Sequence, residues 1–126
     1  MKIILASKSG VRKEILDRYN IDNEVIVSNV DEDDVKVSLL DEGADPLSIS
    51  KNLAEIKSIK VSNKNPDRYV LGADSVISFN NELINKPNSR EEALAILKKL
   101  NNSKHYLISS VCIAKYGAMI WNHTDT

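Results

Sequence analysis

The sequence predicts a mixed α/β fold in which one twisted, partly antiparallel sheet carries helices packed on its faces. Three observations point there. Short apolar runs of strand type alternate with segments whose apolar residues recur at helical spacing, so strands and helices interleave along the chain. Two compact turn signals, Asn80-Asn81 and Tyr116-Gly117, sit between strand-like runs and require antiparallel pairs. The 126 residues are 42% hydrophobic and 28% charged, which suits one domain with a hydrophobic core and excludes a disordered chain.

Ile3 to Ala6 is the first strand-like run, followed by Ser7-Lys8-Ser9-Gly10 and then by Val11, Ile15, Leu16 and Tyr19 at helical spacing. Ser9 is the expected N-cap, and Gly10 lets the backbone approach whatever lies above it. Glu24 to Ser28 has the composition of a buried strand and runs into the acidic stretch Asp31-Glu32-Asp33-Asp34. Asp45-Pro46 starts a helix in which Ile49, Leu53, Ile56 and Lys60 are expected to share one face, with Lys57 at its border. Tyr69 to Ile77 is the most continuous strand signal and is expected at the centre of the sheet. Asn80-Asn81 pairs Val76 to Phe79 with Glu82 to Ile84, since Asn tolerates left-handed dihedrals. Ser89-Arg90-Glu91-Glu92 is a capping box ahead of Ala93, Ile96, Leu97 and Leu100. Tyr106 to Ala114 then reads as a strand, Tyr116-Gly117 as a turn and Ala118 to Trp121 as its partner, giving the order βαβαββαββ.

Charge and cysteine usage narrow the function classes. Seventeen basic and eighteen acidic residues nearly cancel, so no global field attracts polymeric nucleic acid or an anionic membrane, and any polyanion bound is expected to be small. Cys112 stands alone, which excludes an intrachain disulfide and a cysteine-based zinc cluster and fits a reducing cytoplasm. The apolar run after Met1 is too short for a signal peptide, and a cytoplasmic protein without a membrane span is expected.

Several residues could carry chemistry. A serine loop at a helix N-terminus offers amides, the Ser7 and Ser9 hydroxyls and the positive end of the dipole to phosphate oxygens, with Arg12, Lys8 and Lys13 adding charge; the same pattern fits a capped surface helix. Asp74 lies in an apolar strand, where an ionised carboxylate is costly unless a cation, metal or donor compensates it; it could instead cap a turn at the strand end. Lys57 and Lys86 could each reach into a cleft as a point charge for phosphate, or simply cover apolar surface. The run Asp31 to Asp34 could offer carboxylates to Mg²⁺, which takes one or two of them plus water and substrate phosphates. His105 and His123 have no partner at a metal-ligand spacing, and Cys112 alternates with apolar neighbours as a core residue does.

In chain order these blocks resemble the Maf family. Leu5-Ala6-Ser7-Lys8-Ser9-Gly10-Val11-Arg12-Lys13-Glu14-Ile15-Leu16 is similar to its signature Leu-Ala-Ser-x-Ser-Pro-Arg-Arg-x-Glu-Leu-Leu, with Gly10 in place of proline and Val11 in place of the first arginine. Asp31-Glu32 resembles its Asp-Glu pair, Leu53-Ala54-Glu55-Ile56-Lys57 its Leu-Ala-x-x-Lys, Gly72-Ala73-Asp74-Ser75-Val76 its Gly-Ala-Asp-Thr-Val, and Lys86-Pro87 through His105 its Lys-Pro, helix, His segment. The resemblance spans the whole chain and implies a single domain of the Maf and inosine triphosphatase-like fold, without the family's C-terminal portion. It further implies a nucleoside triphosphate pyrophosphatase, in which water attacks the α-phosphorus and a monophosphate and pyrophosphate leave with help from a divalent cation, Mg²⁺ or Mn²⁺. Ser7, Ser9, Arg12, Lys57 and Lys86 would then face phosphate. Asp74 would act as base, and Glu32 and Asp74 would hold the metal. A non-catalytic nucleotide-binding protein acting in cell-division control is the alternative, and a homodimer is compatible with either.

Overall fold

The computed structural model describes residues 2–84, 89–101 and 104–126. Its elements run β1 (Ile3–Leu5), α1 (Gly10–Arg18), β2 (Asn23–Val25), α2 (Glu32–Asp41), α3 (Pro46–Lys64), β3 (Val70–Phe79), β4 (Glu82–Ile84), α4 (Arg90–Leu100), β5 (His105–Lys115) and β6 (Ala118–Asp125). All described strands join one sheet of order β2-β1-β3-β5-β6, with β4 also paired to β3. β1 is parallel to β2 and β3, whereas β3 is antiparallel to β4 and β5, and β5 to β6. The expected mixed sheet with a central β3 is therefore what the chain forms.

Local chemistry sets most boundaries. Ser9, Asp45 and Ser89 cap α1, α3 and α4 by accepting from the amides of Arg12, Ser48 and Glu92, each satisfying an amide that the helix cannot pair. Asn80 and Asn81 both take positive φ, and so do Tyr116 and Gly117, the geometry that matches a two-residue hairpin to strand twist.

Three expectations change. The acidic stretch opens a helix: Asp31 caps α2 through the Asp34 amide, and Glu32, Asp33 and Asp34 fill its first turn, where negative charge complements the helix dipole. β2 is shorter than expected and lies on the sheet edge, with Val25 39% exposed, because it pairs with β1 alone. The inward face of α3 also differs, since Ile56 and Lys60 point outward while Ile49, Ser50, Leu53, Ala54, Lys57, Ser58, Val61 and Ser62 are buried.

Small residues explain that last change. A Cβ at Gly72 would fall 2.8 Å from Ser58 and closer still to the Ala54 carbonyl, so α3 lies almost on the backbone of β3. Only Ala and Ser side chains fit at that contact, which turns the face bearing Ser50, Ala54 and Ser58 inward. Ile4, Ala6, Val61 and Val70 form the adjoining apolar cluster, with Ile26 packed against it. Along β3, Val70, Gly72, Asp74, Val76 and Ser78 are buried, as is Ala73, whereas Ser75 is exposed.

Candidate active site

The site lies where the sheet changes neighbours along one edge of β3. β1 accompanies β3 only through Leu71, and β4 takes over at Ile77. Between them the Ala73 carbonyl lacks a strand partner and accepts from Lys57 Nζ at 3.3 Å. Loops gather at such a switch point because the strands diverge there.

The loop after β1 supplies hydroxyls and a guanidinium. Ser7 Oγ accepts from the Ser9 amide at 3.2 Å and from Arg12 Nη1 at 2.8 Å, and Arg12 Nη2 donates to Ser75 Oγ at 3.4 Å. Ser75 and Ser109 share a further hydroxyl contact of 3.0 Å. Arg12 thus ties the loop to β3 while its remaining N–H groups stay available to an anion.

Behind this loop sits a carboxylate cluster. Lys57, 8% exposed, forms an ion pair with Glu32 and a second with Asp74 Oδ1 at 3.1 Å. With the Ala73 carbonyl these acceptors match the three donors of an ammonium group. The lysine expected to face phosphate lines the cleft but directs its charge at carboxylates, because α3 lies close enough to β3 to bring it over Asp74.

Asp74 is 7% exposed, and its Oδ2 is buried without a hydrogen-bond partner. Burial lifts its carboxyl above the ordinary aspartate range; the Lys57 charge and hydrogen bond pull it down, and Glu32 adds a like charge that raises it again. A desolvated, unpaired oxygen of this kind suits proton abstraction better than a fully paired carboxylate does.

Ser7, Ser9, Arg12, Glu32 and Lys57 meet around a cleft of about 390 Å³, which the 27–30 loop closes on one side. Asp74 lies next to it, under Lys57, and does not itself line the cleft wall. Lys86 lies outside the described residues. Among described residues no group of three or more His, Cys, Asp or Glu side chains could hold a metal ion. Cys112 is 2% exposed in the core and burial pushes its thiol up to about 11, so it stays protonated. Two contributors escaped the sequence reading. Ser75 belongs to the Gly-Ala-Asp block, and alternation along a strand sends it to the opposite face from Asp74. Ser50 carried no signal, since a serine in a helix ordinarily indicates solvent.

The fold and cleft define an α/β protein with an anion-type loop beside a buried carboxylate. The chain belongs to the family described as Maf-like protein, whose model matches residues 2–126. It is 61% identical to a nucleoside triphosphate pyrophosphatase of Pelagibacter ubique over 98% of its own length and 64% of the relative's. It is 41% identical to a nucleoside triphosphate pyrophosphatase of Ruegeria pomeroyi, over 96% of this chain and 61% of that one. A 7-methyl-GTP pyrophosphatase of Brucella abortus shares 37% over 99% of this chain and 63% of its own. The chain thus spans just under two thirds of these relatives' length. A crystal structure of a nucleoside-triphosphatase (dITP/XTP pyrophosphatase) from Mycobacterium abscessus shares the fold, with a TM-score of 0.54 at 12% identity, over 99% of this chain and 69% of that one.

Proposed function

We propose that this chain carries the phosphate-binding and catalytic parts of a nucleoside triphosphate pyrophosphatase. Water adds to the α-phosphorus, the bond to the bridging oxygen breaks, and a nucleoside monophosphate and pyrophosphate leave. The observation that carries this proposal is the unpartnered Asp74 Oδ2, buried next to a cleft walled by the Ser7-Ser9-Arg12 loop. The names of the 61% and 41% identical relatives support it.

Phosphoryl transfer demands little covalent work from a protein, so positioning and charge neutralisation dominate. Ser7 and Ser9 would donate hydroxyls to phosphate oxygens, and Arg12, already held by Ser7 and Ser75, would supply a fixed fork of donors. Asp74 would orient the water and accept its proton at Oδ2. Lys57 would hold the two carboxylates together despite their like charge.

The donor set fits a hard divalent cation. Mg²⁺ is commonly bound by one or two carboxylates with substrate phosphates completing its shell, and Glu32 and Asp74 are the carboxylates that would hold it. Bound there, Mg²⁺ or Mn²⁺ would neutralise developing phosphate charge. We assign the protein to the cytoplasm: its lone thiol is buried and reduced, and no helix among the described residues is long and apolar enough to cross a membrane.

Pyrophosphate release, measured across a panel of nucleoside triphosphates with Mg²⁺, tests the proposal. Asp74→Asn is expected to lower turnover by about 10²- to 10⁴-fold. Equal turnover by variant and parent would sink the assignment. Nucleotide binding by calorimetry without any release would favour a non-catalytic binder instead.

A further inference from the structure

The buried hydroxyls behind Asp74 have no place in the chemistry above. Ser50 is fully buried on α3, with its Oγ 3.2 Å from the Asp74 carbonyl and 2.9 Å from Ser110 Oγ. Ser110, 1% exposed on β5, is in turn 3.1 Å from Thr124 Oγ1 on β6. Ser50 is the donor in both contacts, so its single O–H is shared between the Asp74 carbonyl and Ser110 Oγ, while between Ser110 and Thr124 either hydroxyl could donate.

Ser50 and Lys57 stand about two turns apart on α3, on the same face. They grip consecutive carbonyls of β3, Lys57 that of Ala73 and Ser50 that of Asp74, and consecutive carbonyls point to opposite edges of a strand. We infer that Ser50 is a positioning residue for Asp74. It completes a two-point clamp by which α3 fixes the peptide planes bearing the base, where the strand has lost its neighbour on one edge. This inference rests on Asp74 being the base of the proposed reaction.

The sequence supplies a direct probe, because Asp74-Ser75 is its single Asp-Ser peptide bond. Labelling with [1-¹³C]Asp and [¹⁵N]Ser isolates one coupled carbonyl resonance, whose shift reports hydrogen bonding to the Asp74 carbonyl. In Ser50→Ala this resonance is expected to move upfield and kcat for pyrophosphate release to fall about fivefold, with KM within about twofold. Ser50→Thr, which keeps the hydroxyl, is expected to restore both. If Ser50→Ala does not fold, Ser110→Ala is measured: with its second acceptor gone the Ser50 O–H turns wholly to the Asp74 carbonyl, and a smaller displacement in the opposite, downfield direction is expected. An unmoved resonance in a folded variant overturns the clamp. A displaced resonance with parental kcat overturns its role in positioning the base. Should the parent release no pyrophosphate, the proposed function fails by itself, and the carbonyl resonance alone still decides whether the clamp exists.

Discussion

Asp74 and Ser75 are consecutive on one strand, yet they belong to two environments. Asp74 points towards α3, 7% exposed, and answers to Lys57, Glu32 and the helix packed over it. Ser75 points to the opposite face, exposed, and meets Arg12 and Ser109. Burial is what separates them. On the α3 side water is excluded, so charges interact strongly and a carboxyl is lifted from its ordinary range. On the loop side water remains, and the groups are hydroxyls and a guanidinium, donors of the kind that make charge-assisted hydrogen bonds to anions. A strand's two-residue period lets one short block serve both environments.

Lys57→Met should show the contrast at its strongest. It leaves Asp74 and Glu32 without their shared cation, and breaking a buried pair costs about 3 to 5 kcal/mol, read as a lower denaturation midpoint. A variant as stable as the parent would mean that the two carboxylates do not depend on Lys57. On the wet side, Arg12→Ala should leave stability nearly unchanged and weaken nucleotide binding by roughly 1.5 to 3 kcal/mol, the worth of hydrogen bonds to a charged partner. Calorimetry with a nucleoside triphosphate checks this, and unaltered affinity would remove Arg12 from the site. Gly72→Ala tests the packing that creates the dry side. Forcing α3 off β3 should cost about 1 to 3 kcal/mol and loosen the Lys57–Asp74 pair.

The smallest effect concerns pH. Because burial raises the folded carboxyl of Asp74 above its unfolded value, the associated stability is fully present below the unfolded value and is lost as pH rises through the folded one. In metal-free buffer Asp74→Asn should therefore raise Tm slightly at neutral pH, and the gain should shrink as pH falls through the aspartate range. A constant difference across that range would mean that Asp74 titrates as it does in the unfolded chain. Stability and activity would then part company at this residue, as they do at many catalytic groups.

Much of this was legible beforehand because it is local. The caps at Ser9, Asp45 and Ser89 depend on a side chain and an amide three residues on. The turns at Asn80-Asn81 and Tyr116-Gly117 depend on which residues tolerate positive φ. The long apolar run of β3 announced the sheet centre. α2 was read as an acidic loop because its face carries few apolar residues, although an aspartate cap followed by acidic residues was a helix-start signal.

The site divides in the same way. Ser7, Ser9, Arg12, Glu32, Lys57 and Asp74 were singled out by type and order; the structure gathers the first five around one cleft and sets Asp74 next to it, under Lys57, while Lys86 lies outside the described residues. What they face was not identifiable. Nothing in the spacing of Lys57 tells whether its ammonium meets phosphate or carboxylate, and nothing marks Ser50 as more than a polar helix residue. By itself the sequence determined the elements, their caps and turns, and the inventory of chemical groups, since these follow from short-range bonding and periodicity. The tertiary structure alone decided that α3 lies almost on the backbone of β3 at Gly72, and so which groups are dry, which are paired, and which oxygen of Asp74 is left without a partner. Desolvation and pairing depend on distances between residues far apart in the chain, and only packing sets those distances.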